Sequence, residues 1–309
     1  MKRILVAFLL AGLAGLGPAA VAQAPARPRV LALVSSSAPY YLEHLTAFER
    51  SFPGTVERLP VAAGESAVAE RLAAGKPTLI LAVGGSAAKL AEKISPRPPV
   101  LFTMIYDPAA YGLQAGPNRC GLGLEVDPGQ RLQALQALKP GAAGLRIGVL
   151  HSPAADGREL ARVDAAVRAA GYTLTVKEVG DPGALDASLR ELLPKIDVLW
   201  LLAEPEVVPD EDALRLLLRR ALDRKVMVAG ISEAHVRAGA LFAVSADTRA
   251  EGVRAAGLAA EIIGGRSPET VGVLPPAHVV WSVNTKVAAE LGLDLAPVPT
   301  LKRFQRVYP

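Results

Sequence analysis

Short apolar runs recur along the chain, each followed by a polar or glycine-bearing loop and then by a stretch whose apolar residues fall at helical spacing. Residues 30–34 (VLALV), 78–83 (TLILAV), 100–105 (VLFTMI), 146–150 (RIGVL), 198–202 (VLWLL) and 226–231 (VMVAGI) are too short for buried helices and read as strands covered on both faces. Segments 56–61, 173–179, 241–244 and 279–283 add further strands. Between them, residues 40–52, 66–74, 87–94, 130–138, 157–170, 183–193, 210–224 and 248–263 predict helices. Asp210 precedes Glu211 and Asp212 as an N-cap should, Asn284 opens a closing helix that reaches Leu291, and Gly75, Gly171 and Gly264-Gly265 end helices.

Strands alternating with helices of roughly ten to fifteen residues imply βαβ crossovers and a parallel sheet. The pattern runs twice, and residues 99–128 (PVLFTMIYDPAAYGLQAGPNRCGLGLEVDP) join the two runs. The predicted fold is therefore α/β, with two similar doubly wound parallel-sheet lobes and a ligand cleft between them. The first lobe is placed at 23–122, open to regaining a C-terminal segment. The second spans 123–294 with inter-lobe crossings, and a tail at 295–309, with Pro297 and Pro299, lies across a surface.

The first residues change the picture of where the protein works. Lys2 and Arg3, an apolar run over 4–16 and Ala20-Val21-Ala22 form the three parts of an export signal, with cleavage expected near Ala22. Cys120 is the single cysteine, far from the apolar run, so neither an internal disulfide nor a lipid-modified cysteine is expected. The formal charge of +4 falls once Lys2 and Arg3 leave, and the arginines are dispersed, so nucleic acid is not an expected partner. Aromatic residues at 5% argue against a membrane barrel with aromatic girdles.

Ligands of open parallel sheets bind beyond the carboxyl ends of the strands, where strand order reverses. The loops at those ends supply the candidates. Ser36, Ser37, Gly85 and Ser86 could hold an anionic group through hydroxyls and backbone N–H groups at helix starts. Asp107, Glu204, Glu233 and Asp247 could meet an ammonium or a hydroxyl-rich end; each also reads as a helix cap or a solvated loop carboxylate. Tyr40 and Tyr106 could stack on a ligand or pack beneath a loop, and His151 and Ser152 face the second lobe's opening. Gly84-Gly85-Ser86-Ala87-Ala88 also approaches a hydrolase nucleophile elbow, with His235 or His278 as nominal partners of Ser86. The four histidines are scattered without helical pairing, no phosphate-binding loop follows a strand, and neither metal nor cofactor is expected.

Several segments resemble a known family in order and spacing. PVLFTMIYDPAAYGL, CGLGLEVDP, RIGVLHSPAADGREL, VLWLLAEPEVV, ISEAHVRAGALFAVSADTRAEG and VVWSVNTKVAAELGLDL are similar to successive motifs of the ABC-transporter substrate-binding family of the type I periplasmic fold, which includes tryptophan- and tyrosine-type binders. The resemblance implies a monomeric periplasmic protein that is not an enzyme. It would capture a small polar solute, an amino acid or related compound, and deliver it to an ABC transporter permease in the inner membrane. A sensory protein docking on a membrane receptor or kinase is the alternative reading. The chain departs from the family where His151-Ser152-Pro153 replaces the frequent Tyr-Asn-Pro and where Ala203-Glu204-Pro205 replaces Thr-Asp-Asn.

Overall fold

The computed structural model describes residues 27–94, 98–295 and 301–309; the expected export signal lies outside them. Five strands open the chain: β1 (Arg29–Val34), β2 (Thr55–Pro60), β3 (Leu79–Val83), β4 (Val100–Ile105) and β5 (Arg119–Gly123). Five more follow: β6 (Arg146–His151), β7 (Thr173–Glu178), β8 (Val198–Trp200), β9 (Met227–Gly230) and β10 (Phe242–Ala246). The chain ends with β11 (Val273–Leu274), β12 (Val279–Asn284) and β13 (Arg306–Tyr308).

The first sheet runs β2-β1-β3-β4-β5-β11 and is parallel throughout. The second runs β7-β6-β8-β9-β10-β12-β13, parallel except where β12 meets β10. The first five strands of each lobe thus follow the same order. It reverses between β1 and β3 in one and between β6 and β8 in the other. Both are doubly wound sheets, and β3 and β4 are buried along their whole length because helices cover both faces.

The lobes are not cut at a single point. Helix Thr248–Ile263 follows β10 of the second sheet but packs Ala255, Ala256 and Ala259 into the first core, beside Phe48, Leu79 and Leu101. It lies against helix Pro39–Ser51 so closely that a Cβ on Gly252 would sit 2.3 Å from the carbonyl oxygen of His44. Strand β11 then pairs with β5 before the chain returns to the second sheet as β12. The first lobe therefore regains a C-terminal segment, and the chain passes between lobes after β5, after β10 and after β11.

The last passage is fastened by a buried carboxylate. Glu251 is fully buried; its Oε1 accepts the N–H groups of Ala277 and His278 at 2.8 and 3.1 Å, and Oε2 pairs with Arg254 at 3.1 Å. Among the described residues of the tail, Phe304 is buried edge-on against Trp281, Gln305 accepts the Trp281 N–H at 2.7 Å, and β13 extends the second sheet. Three residues of strand held mainly by partners outside the segment leave little pattern in sequence.

Candidate ligand cleft

At the first lobe's reversal point the loops after β1 and β3 are tied together. Ser35 donates its backbone N–H to Val83 O at 3.0 Å, and its Oγ accepts the Ala87 N–H at 2.9 Å. Helix Gly85–Lys93 has Gly84, at φ 97°, in the N-cap position, so Ser35 from the neighbouring loop supplies the oxygen that a capping side chain would otherwise provide. Ser86 is therefore not the cap: it lies in the exposed first turn, where the Gly85 and Ser86 amides have no intrahelical acceptor. Ser36 Oγ accepts the Ala38 N–H at 3.1 Å and turns the chain into helix Pro39–Ser51, while Ser37 is exposed.

Tyrosines wall this side of the cleft. A Cβ on Gly85 would sit 2.5 Å from the Tyr111 ring, so only glycine lets that ring lie over the helix start. Tyr40 and Tyr41 have ring centroids 4.8 Å apart, and burial, then the neighbouring Tyr40 and Tyr111, push the Tyr41 phenol up to about 12. The Lys89 ammonium stands 5.0 Å from the Tyr111 ring centroid.

In the second lobe the loop after β8 is a hub. Leu201 O accepts from Arg131 Nη2 at 3.0 Å, Ala203 N–H donates to Glu159 Oε2 at 2.9 Å, and Glu204 takes His151 Nδ1 at 2.8 Å and the Ser152 N–H at 2.7 Å. Arg131 Nη2 also donates to Ala229 O at 2.9 Å, and its guanidinium carbon stands 4.1 Å from the centroid of the buried Trp200 ring. Burial lowers the Arg131 pKa; burial, and then Arg131, push His235 down to about 4. Burial raises the Glu159 carboxyl, opposed by the Ala203 N–H, Arg131 and the Tyr106 hydroxyl.

Residues just past β4 and β5 of the first sheet meet the helix that follows β6 of the second. Tyr106, just past β4, donates its hydroxyl hydrogen to Glu159 Oε1 at 3.1 Å, and burial raises its phenol pKa. Beside it, Asp107 Oδ2 pairs with Arg158 at 3.3 Å and Glu125 pairs with Arg162. Tyr106 owes its placement to a bulge. The β4/β5 register shifts between Phe102 and Ile105, and Met104 takes φ 60°, a left-handed conformation that costs a non-glycine residue energy.

Residues 63–297 match the sequence family of ABC transporter substrate binding proteins. The chain belongs to this family. A tyrosine-binding protein of Clostridioides difficile (strain R20291) is 24% identical across 72% of this chain; the match spans 66% of that relative's own length, just under two thirds. Among solved structures, an ABC domain in complex with L-Trp from Streptococcus pneumonia has a TM-score of 0.68 at 19% identity, covering 91% of this chain and 100% of the other. A ligand-free, open substrate binding protein with adhesive properties from Clostridium difficile has a TM-score of 0.74 at 18% identity, covering 91% and 99%. Both share the fold.

Within this substrate-binding fold the expected residues fall into separate groups. Ser36, Ser37, Tyr40, Gly85 and Ser86 gather at the first reversal point, and His151, Ser152 and Glu204 at the second. Asp107 Oδ1 accepts the N–H groups of Ala109 and Ala110 at 2.9 and 3.3 Å, and Asp247 Oδ1 those of Arg249 and Ala250 at 3.1 and 3.0 Å, so both are helix caps. Glu233 is held by Arg237 and by Tyr308 of the tail. Among the described residues no hydrogen bond joins Ser86 to a histidine: His235 Nδ1 accepts the Ile231 N–H at 3.2 Å, and the His278 amide is held by Glu251. No three metal-ligating side chains gather among them, and no helix there is long and apolar enough to cross a membrane.

Arg131 and Glu159 escaped the sequence reading, yet a signal was present. Arg131 shares a helix stripe with the buried Leu135 and Leu138, and Glu159 shares one with the buried Val163 and Val167. A charge on an apolar stripe needs a buried partner.

Proposed function

We propose that the protein captures an amino acid or a related small polar solute between its lobes and delivers it to the permease of an ABC importer. It works as an exported, periplasmic monomer and catalyses nothing. The observation that carries this reading is the contact between the lobes at their strand ends, where Tyr106 donates to Glu159, with tyrosines at the first lobe's reversal point and polar groups at the second's. Family membership supplies the small-molecule ligand and the ABC transporter partner. The names of the relatives, one tyrosine-binding and one holding L-Trp, favour an aromatic amino acid.

The chemistry fits that ligand class. Tyr40, Tyr41 and Tyr111 offer ring faces to an aromatic side chain. The amides of Gly85 and Ser86 at a helix start, with the hydroxyls of Ser36, Ser37 and Ser86, suit a carboxylate. Because each lobe holds part of the ligand, closure and binding are one equilibrium, and the ligand favours the closed form by what it gains there.

A thermal-shift screen of protein refolded to strip carried-over ligand tests the reading. A ligand at about 100 times its Kd adds ~2.7 kcal/mol, a rise of several degrees in Tm. L-Tyrosine, L-tryptophan or another amino acid should give that rise. A rise confined to sugars or nucleosides would overturn the assignment.

A further inference from the structure

His151 ends β6 and Glu204 follows β8, the two strands flanking the second lobe's reversal point. Glu204 is 8% exposed and both of its oxygens are engaged, Oε1 with His151 Nδ1 and Oε2 with the Ser152 N–H. Asp107 and Glu159 likewise have both oxygens engaged. All three carboxylates are thus already partly neutralised by donors of the protein itself.

The imidazole is placed differently. With Nδ1 on Glu204, the His151 ring keeps 12% of its surface exposed, and its Nε2 has no partner among the described residues. Unlike His44 Nε2, it is not sealed from solvent. In a neutral ring whose Nδ1–H donates to a carboxylate, Nε2 carries the lone pair and accepts a hydrogen bond. The carboxylate behind the ring adds negative charge without direct contact, as it does for ligating histidines elsewhere.

We propose that His151, oriented by Glu204, is the group by which the second lobe recognises the ligand's ammonium, with Nε2 accepting one of its N–H hydrogens. This rests on the amino-acid reading above and completes it: the carboxylate lies at the helix start of the first lobe and the ammonium opposite. His-Ser-Pro and Ala-Glu-Pro are then one coupled change, an imidazole reader and the carboxylate that positions it.

The test is calorimetric titration of the whole protein with two pairs of probes, L-tyrosine beside 3-(4-hydroxyphenyl)propanoate and L-tryptophan beside indole-3-propanoate. Each second member lacks only the amino group. Wild type should bind one amino acid at least about tenfold more tightly than its partner, the size of a hydrogen bond to a charged group. His151→Phe should remove that tenfold preference, weakening the amino acid about tenfold more than the propanoate, while His151→Gln, which keeps an acceptor, should recover part of it. Should His151→Phe fail to fold, Glu204→Gln, which keeps the side chain's shape, should still weaken the amino acid several-fold and spare the propanoate. Equal losses for both probes, or none, overturn the role of His151 and leave the amino-acid reading standing. If wild type binds neither pair and only sugars or nucleosides shift its Tm, the amino-acid reading itself falls and takes the inference with it.

Discussion

Tyr106 and Glu159 meet across the cleft, the phenol of one lobe donating to the carboxylate of the other at 3.1 Å. Glu159 in turn holds the Ala203 amide at the head of the second lobe's polar loop. One side chain thus joins a bulged strand end of the first sheet to the reversal point of the second. Tyr106→Phe keeps the ring and deletes the donor. Half of the Glu159 carboxylate is then left without a protein partner, and the loss should be about 1.5–3 kcal/mol for a bond to a charged group. Because this bond forms only when the lobes approach, the variant should favour the open form. Small-angle scattering should show a larger radius of gyration and calorimetry a weaker ligand; an unchanged radius and affinity would exclude the bond from closure.

Gly252 tests whether helix Thr248–Ile263 belongs with the first lobe. Helix propensity alone favours Gly252→Ala by up to about 1 kcal/mol. The close approach to the His44 carbonyl opposes it, and overpacking should cost about 1–3 kcal/mol. The expected outcome is a net loss of stability in urea denaturation. A stabilised variant would mean that the two helices can separate at no cost.

His44 is buried between the same helices, with Nδ1 on Thr248 O at 3.1 Å; burial outweighs that bond and pushes it down to about 4 from 6.5. A proton therefore binds the unfolded chain more readily than the folded one. The resulting stability is complete above pH 6.5, shrinks as pH falls and is gone near pH 4; at pH 5 the loss is about 2 kcal/mol. His235 acts in the same direction, whereas the raised carboxyls of Glu125 and Glu159 act in the opposite one. Comparison with His44→Leu isolates the term. Wild type should lose about 2 kcal/mol more than the variant between pH 7 and pH 5, and parallel curves would refute the assignment.

Asp247 caps helix Thr248–Ile263 where the chain passes between lobes. Asp247→Ala should cost about 1 kcal/mol of stability, typical of an N-cap. Affinity for L-tyrosine or L-tryptophan should change by less than about twofold. A tenfold loss of affinity with unchanged Tm would return Asp247 to the ligand.

Much of this was legible in the chain. Runs such as LILAV and VLFTMI could only be strands buried on both faces, and the two doubly wound lobes followed from their alternation with helices. Asp210 and Asn284 cap the helices they were expected to cap, accepting the N–H groups of Ala213 and Val287, each at 2.9 Å, because a cap is satisfied within four residues of chain. Ser36, Ser37, Tyr40 and Ser86 of the first reversal point were also legible, since the loops that end strands carry them, whereas Tyr41 and Tyr111 drew no notice until the fold brought their rings beside these loops.

What only the tertiary structure decided depends on partners distant in sequence. An amphipathic stripe shows that helix Thr248–Ile263 buries a face but not which sheet receives it; the close fit at Gly252 decides that. Ser35, rather than a residue of the helix itself, supplies the capping oxygen to helix Gly85–Lys93 across 52 positions of chain. Glu204 is a loop carboxylate in sequence and a positioning group for His151 in the fold, 53 positions away. Local periodicity is enforced by the backbone's own geometry and is therefore written locally. The pairing of buried polar groups is enforced by the cost of leaving them unmet in a desolvated interior, and only the folded chain determines which groups meet.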